Sequence, residues 1–257
     1  MTERPGSSTQ ASVIVVENGK VVSRTDQLAT EEPLEIRIKT RGETKTLAIT
    51  MRTPGADFDL ATGFLFAEGV VGSKEQIRTI AYCRDPGVDI EQLYNIVTVD
   101  LDDSAHGELP SLERHFTTSS SCGVCGKANL DALSLRGSKP LPDGPEVDPG
   151  VIKELPDELR KAQKVFESTG GLHAAGLFDR TGDLVDLRED VGRHNAVDKL
   201  IGSRLMAKGL PAAEEIVRSV ADRASRSCRS ASSQVSRSCA RCPLPAASRF
   251  RSPRSST

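Results

Sequence analysis

The chain has 257 residues, 37% of them hydrophobic, and a formal net charge of -2 at pH 7; a domain of roughly 220 residues buries about 70% of its unfolded surface. No apolar run approaches the ~20 residues of a membrane span, and Met1-Thr2-Glu3-Arg4-Pro5-Gly6 leads into no apolar signal core, so a cytoplasmic protein without a membrane partner is expected. The charge is uneven: Ser219 to Thr257 holds eight arginines and one acid, a surplus of +7 that leaves -9 on the rest, and an acidic body argues against general nucleic-acid binding but not against a small anion at one basic spot.

Residues 1–11 are polar and read as a flexible N-terminus; a single domain is expected over residues 12–225. Ser12 to Glu17 and Val21 to Arg24 flank Asn18-Gly19, which suits the positive-φ positions of a tight turn, so a hairpin is predicted. Leu34 to Lys39 alternates apolar and polar residues, and beyond Arg41-Gly42 the run Lys45 to Met51 makes a second hairpin. Pro54-Gly55 ends the sheet. Asp57 to Gly69 then has helical spacing, with Leu60, Phe64 and Ala67 on one stripe, Gly69 as the stop, and the aromatic residues of Phe58 to Phe66 as core. Lys74 to Ala81 is predicted as a helix and Asn95 to Leu101 as a strand.

Ser119-Ser120-Ser121-Cys122-Gly123-Val124-Cys125-Gly126-Lys127 comes next and sets two thiols three positions apart in a small, polar loop. The thiolate is the nucleophile, and a free thiol with a pKa near 8.5 is only a few per cent ionised at neutral pH. Lys127, the serine hydroxyls and the N-terminus of a helix predicted over Ala128 to Leu135 would each favour the anion. Six cysteines at irregular spacing do not make a disulfide framework, so a reducing compartment leaves Cys122 and Cys125 free to react. Three other readings stay open: half of a zinc site completed by Cys239 and Cys242, a dithiol that cycles to a disulfide, and two buried small residues without chemistry.

Gly144-Pro145 separates two helices, the second with Asp157 as cap and Leu159, Ala162 and Phe166 as its stripe. Gly170-Gly171 breaks that helix, Leu172 to Phe178 is predicted as a strand, Asp179 to Gly182 as a turn and Leu184 to Leu187 as the returning strand. Glu189-Asp190 opens a last helix bearing Val197, Leu200, Ile201 and Leu205. The mixture points to an α/β or α+β domain with one main sheet. Arg193 near the free N–H groups of that helix could hold a phosphate, and His194 could exchange a proton near neutral pH. Equally open is a structural role, with Asp190 as cap and Arg193 paired to Glu189 or Asp198. His173 alternates with apolar residues as a core histidine would, although Gly170 and Gly171 beside it permit close approach by a ligand.

Taken together, these pieces resemble the formate dehydrogenase accessory sulfurtransferases, the FdhD family. The resemblance rests on Glu31 to Arg37, Met51-Arg52-Thr53-Pro54-Gly55-Ala56-Asp57, Leu60 to Gly69, Ser121-Cys122-Gly123-Val124-Cys125-Gly126, Thr169 to Ala175 and Glu189 to Lys199, in that order over roughly residues 30–205. It implies a sulfur carrier that takes sulfur from a cysteine desulfurase as a persulfide on Cys122, assisted by Cys125. It also implies delivery to a molybdenum bis(pterin guanine dinucleotide) cofactor needed by formate dehydrogenase; Arg193 with the Gly-rich turns would suit so large an anion, so Gly170, Gly171, His173, Arg193 and His194 are expected on the cofactor side. A homodimer and a mixed sheet with helices on both faces in a cytidine-deaminase-like fold belong to the same expectation; no structural metal is expected, because the tail that holds Cys239 and Cys242 reads as unfolded.

The resemblance stops after Arg223-Ala224-Ser225. Family members continue with apolar elements and a late segment implicated in binding the guanine dinucleotide, whereas residues 226–257 are rich in Ser, Arg, Pro and Ala. A segment with so few large apolar residues cannot offset its ordering entropy, so a disordered tail is expected. A frameshifted reading of a GC-rich coding sequence would produce such a tail, and would make Cys228, Cys239 and Cys242 accidental.

Overall fold

The computed structural model describes residues 5–85, 87–103, 105, 145–207, 209–210 and 214–220. Strands β1 (Ser8–Glu17) and β2 (Lys20–Ala29) form an antiparallel ribbon ten pairs long, closed by Asn18 and Gly19 at φ 52° and 77°. β1 thus begins inside the stretch read as flexible, because Ser8 to Ala11 find partners from Asp26 to Ala29.

The second hairpin, β3 (Glu32–Thr40) and β4 (Glu43–Arg52), turns through Arg41 and Gly42 at φ 49° and 81°. Its alternation is the predicted one: Leu34, Ile36 and Ile38 are fully buried, while Arg37 reaches across the opposite face to Glu35 at 2.8 Å. β3 also pairs in parallel with β6 (Ile96–Leu101), and β5 (Ile77–Tyr82) pairs antiparallel with β6, giving a mixed four-stranded sheet in the order β4-β3-β6-β5. The helix predicted over Lys74 to Ala81 is therefore a short 3-10 turn, Lys74–Gln76, followed by strand. A register irregularity between Ile77 and Thr79 breaks period two in β5, so its apolar residues fall at spacings that imitate a helix.

Helix α1 (Asp57–Ala67) packs Leu60, Ala61 and Leu65 on this sheet. Phe58, Phe64 and Phe66 are half-buried against the same core, whereas Ala67 is exposed, so the apolar face is rotated from the predicted stripe.

α2 (Pro149–Ala162) starts at Asp148, whose carboxylate accepts from Gly150 N at 2.6 Å. Asp157 is interior to it, not its cap, and the predicted single helix divides at Gln163 into α2 and α3 (Lys164–Thr169). β7 (His173–Phe178), β8 (Leu184–Asp190) and β9 (Ile216–Val220) form an antiparallel sheet in the order β8-β7-β9. Leu155 and Leu159 of α2 pack with Ala174, Phe178 and Ile216 on one face, and Ala196 and Leu200 of α4 (Arg193–Met206) with Ala175 and Leu177 on the other.

Glu189 and Asp190 are thus the end of a strand, and the last helix opens only at Arg193. The expectation of one main sheet gives way to three separate sheets among the described residues. What joins the larger two is the crossing of α1 and α4. Gly63 and Gly202 meet the opposing backbones so closely that a Cβ would lie 1.8 Å from the Asp198 carbonyl oxygen and 1.9 Å from that of Asp59.

The predicted tail, the helix over Ala128 to Leu135 and the loop with Cys122 and Cys125 lie outside the described residues. No helix among the described residues is long and apolar enough to cross a membrane.

Candidate functional site

Three segments meet at the start of α4: the turn from β4 into α1, the end of β8, and the first turns of α4. Asp190 is fully buried at their junction and every hydrogen-bonding site it has is used. Its Oδ1 accepts from Gly192 N at 2.8 Å and Asn195 Nδ2 at 3.0 Å, and its Oδ2 accepts from Thr53 N at 3.2 Å and pairs with Lys199 Nζ at 2.7 Å. Lys199, 2% exposed, also donates to the carbonyls of Thr53 at 2.8 Å and Glu189 at 3.3 Å. Asn195 Nδ2 donates to Met51 O at 2.7 Å. A buried ion pair is tolerable only when its remaining donors and acceptors are met, as they are here.

A second buried pair stiffens the neighbouring turn. Arg52 grips Asp57 with two parallel contacts of 3.1 and 3.2 Å and donates to Tyr94 O and Asn95 Oδ1, each at 3.1 Å. Asp57 accepts as well from the Tyr82 hydroxyl at 3.0 Å and Gly55 N at 3.2 Å. Planar guanidinium and carboxylate groups favour this two-pronged geometry, which fixes orientation as well as energy.

On this rigid base stand the predicted site residues. Arg193 is the first residue of α4; it is exposed and, among the described residues, has no ion pair or hydrogen bond. Neither acid weighed as its partner takes that role: Glu189 accepts the N–H groups of Val165 at 3.1 Å and Phe166 at 2.9 Å, holding the start of α3, and Asp198 is unpaired among the described residues. Asp190 anchors Gly192, and no side chain caps α4 itself. His194 follows Arg193. It is exposed by surface area, yet partial desolvation first, then the charges of Arg193 and His173, hold its imidazole below the usual histidine range, which favours the neutral ring.

His173 opens β7, opposite Asp190 on β8. Just before it, Gly170 ends α3 in the left-handed conformation at φ 68°, a position that favours glycine. Gly171 is exposed, and the nearest atom to a Cβ there would be Ala29 Cβ at 3.9 Å, so the backbone lies open toward the base of the hairpin.

The fold thus brings His173, opposite Asp190, and His194 near enough to act on one another electrostatically beside Arg193, while Gly170 and Gly171 precede His173 in the chain. Cys122 and Cys125 lie outside the described residues, as do Cys239 and Cys242. Among the described residues no group of three or more His, Cys, Asp or Glu side chains is arranged to hold a metal ion. A guanidinium and helix-start N–H groups without partners among the described residues, next to an imidazole, are chemistry that can receive a phosphate-bearing anion.

The sequence reading missed the buried network beneath them, and above all Lys199. Its signal was there: Asn195, Lys199 and Gly202 share one stripe of α4 at spacings of four and three, a polar and glycine stripe beside the apolar one. Asp198, weighed only as a partner for Arg193, is instead a carboxyl pushed up to about 7 by burial and by the charges of Glu68 and Asp190.

The fold has a solved counterpart. A crystal structure of a candidate formate dehydrogenase accessory protein from Desulfotalea psychrophila shares it with a TM-score of 0.58 at 24% identity, over 82% of this chain and 73% of that one. The sequence is more specific: the profile of the FdhD/NarQ family matches residues 29–227, and the chain belongs to that family. It is similar to the sulfur carrier protein FdhD of Streptomyces avermitilis, 50% identical over 210 residues that make up 80% of this chain and 72% of the relative. It is also similar to that of Mycolicibacterium paratuberculosis, 48% identical over 196 residues, or 75% and 70% of the two chains.

Proposed function

We propose that this chain is a cytoplasmic sulfur carrier serving formate dehydrogenase, taking sulfur from a cysteine desulfurase and passing it to the molybdenum bis(pterin guanine dinucleotide) that the enzyme uses. The observation that carries the reading is 50% identity to a sulfur carrier over 80% of the chain, with Ser121-Cys122-Gly123-Val124-Cys125-Gly126 inside the span matched by the family. In this reading the Cys122 thiolate attacks the outer sulfur of the desulfurase persulfide, and the desulfurase cysteine leaves as thiolate. Cys122 then holds the sulfane sulfur. Attack by the Cys125 thiolate on the inner sulfur forms a Cys122–Cys125 disulfide and releases hydrosulfide to the acceptor, so the dithiol supplies the two electrons.

The acceptor is substrate here, not a resident cofactor. Arg193 and the N–H groups at the start of α4 would hold a phosphate of its guanine dinucleotide, His194 and His173 would donate or accept beside it, and Gly170 and Gly171 would let it come close to the backbone. The working unit is a homodimer.

Incubation with a cysteine desulfurase and free cysteine is expected to add ~32 Da, the mass of one sulfur, to the peptide containing Cys122. Undiminished loading of Cys122→Ala in the mass spectrum would refute the assignment. Insulin reduction requiring both cysteines, without loading, would favour a dithiol oxidoreductase instead.

A further inference from the structure

The ribbon β1–β2 is built in a way that its own chain does not explain. Its base is tied down, since Thr30 N donates to Ser7 O at 3.0 Å and Ala29 lies against Gly171. Its far end is different: Ile14, Val16, Val21 and Val22 are 75%, 68%, 70% and 53% exposed. Ile14, Val16 and Val21 share one face of the ribbon, and Val13, Val15 and Val22 the other. Among the described residues each strand pairs only with the other, so each keeps an open edge. A lone two-stranded ribbon is marginal in water, and a long apolar edge strand is a template for pairing with another chain.

The two edges are not equivalent. β2 carries Lys20, Arg24 and Asp26, the kind of charge that blunts an edge. β1 reads Ser-Thr-Gln-Ala-Ser-Val-Ile-Val-Val-Glu and has one charge, Glu17, at its very end. Self-pairing of such a strand brings no like charges together. About a two-fold axis at Val13, antiparallel pairing sets Ile14 opposite Ser12, Val16 opposite Gln10 and Glu17 opposite Thr9 of the second copy. Both faces then continue across the seam, because a two-fold normal to a sheet keeps each side chain on its own side. The span matched by the family begins at residue 29, the last of β2, so the ribbon stands outside it.

We propose that the β1 edge is the docking surface for a second copy of this chain, joined two-fold into a four-stranded ribbon in the order β2-β1-β1-β2. This rests on the homodimer of the reading above and says which surface makes it.

The test is the mass of the full chain by light scattering across a dilution series, beside Ser12→Lys and Ile14→Thr/Val16→Thr. All three positions are exposed, and threonine keeps the β preference, so the fold of each copy should persist; a melting curve checks that it does. The expected result is a dimer that Ser12→Lys dissociates by setting two lysines beside the axis, and that the double threonine variant weakens at least ~tenfold by removing apolar surface on both copies. A wild-type monomer at 100 μM, or a dimer that both variants leave intact, would overturn the proposal; the first would leave the ribbon to another kind of partner. Sulfur loading of Cys122 is measured separately, so a failed dimer and a failed sulfur carrier give different results.

Discussion

Asp198 offers a sharp quantitative test of the packing between α1 and α4. Asp198 as a whole residue is half-buried where the two helices cross, but its carboxyl is unpaired among the described residues and shielded enough to be pushed up to about 7 from its ordinary 3.8 by burial, then Glu68, then Asp190. Between these two pH values the folded protein keeps a proton that the unfolded chain releases. Stability therefore falls as pH rises from about 4, and the loss is complete above about 7. At ~1.4 kcal/mol per pH unit the whole interval is worth roughly 4 kcal/mol, and partial access of water reduces this to about 2–4 kcal/mol. Asp198→Asn keeps the shape and removes the charge. It should raise Tm by about 4–8 °C at pH 8, taking 2 kcal/mol and a domain of this size, with the gain shrinking toward zero at pH 4. Thermal melts of both proteins by circular dichroism at four or more pH values decide the matter. A gain that does not vary with pH, or a loss at pH 8, would mean that the charged carboxylate is not penalised and that the packing around it is not as described.

Gly63→Ala should destabilise by about 3 kcal/mol or more, because the new Cβ would lie 1.8 Å from a backbone oxygen that no side-chain rotation can move; a Tm within about 2 °C of wild type would contradict the close crossing. Lys199→Met leaves the Asp190 carboxylate buried without its ammonium partner and should cost about 3–5 kcal/mol at neutral pH in urea unfolding, so a neutral or stabilising result would show that the pair is dispensable. Arg193→Ala should leave stability within ~0.5 kcal/mol yet weaken binding of guanosine diphosphate about ten- to a hundredfold by titration calorimetry. Unchanged affinity with a much lower melting temperature would make Arg193 a structural residue.

Local chemistry was legible in the sequence where one signal dominated. Asn18-Gly19 and Arg41-Gly42 both sit at positive φ, as their turns require. Leu34, Ile36 and Ile38 alternate because one face of β3 is wholly buried. The misreadings have physical causes. In β5 an irregular register hid the strand period; Glu189 and Asp190 look like the acidic first turn of a helix but are the end of a strand, one holding α3 and the other clamping the β4–α1 turn. Of the site, the cluster at Arg193 and His194 could be named from residue types alone. Its support could not be: Lys199 meets Thr53 from 146 positions away, and no local pattern announces that contact.

That distance has a consequence for how the protein is made. The clamp on the β4–α1 turn is assembled from residues 50–53 and 189–199, so a chain growing from the ribosome cannot close it until α4 has emerged. Until then the first hairpins and α1 lack the lysine, aspartate and asparagine that lock their turn, and the glycine face of α1 has nothing to cross. Contacts so far apart in sequence close slowly, and a half-made chain displays open strand edges and apolar surface while it waits. Newly synthesised protein should therefore depend on chaperones more than its modest size suggests, at least until Lys199 and the following strand β9 have emerged.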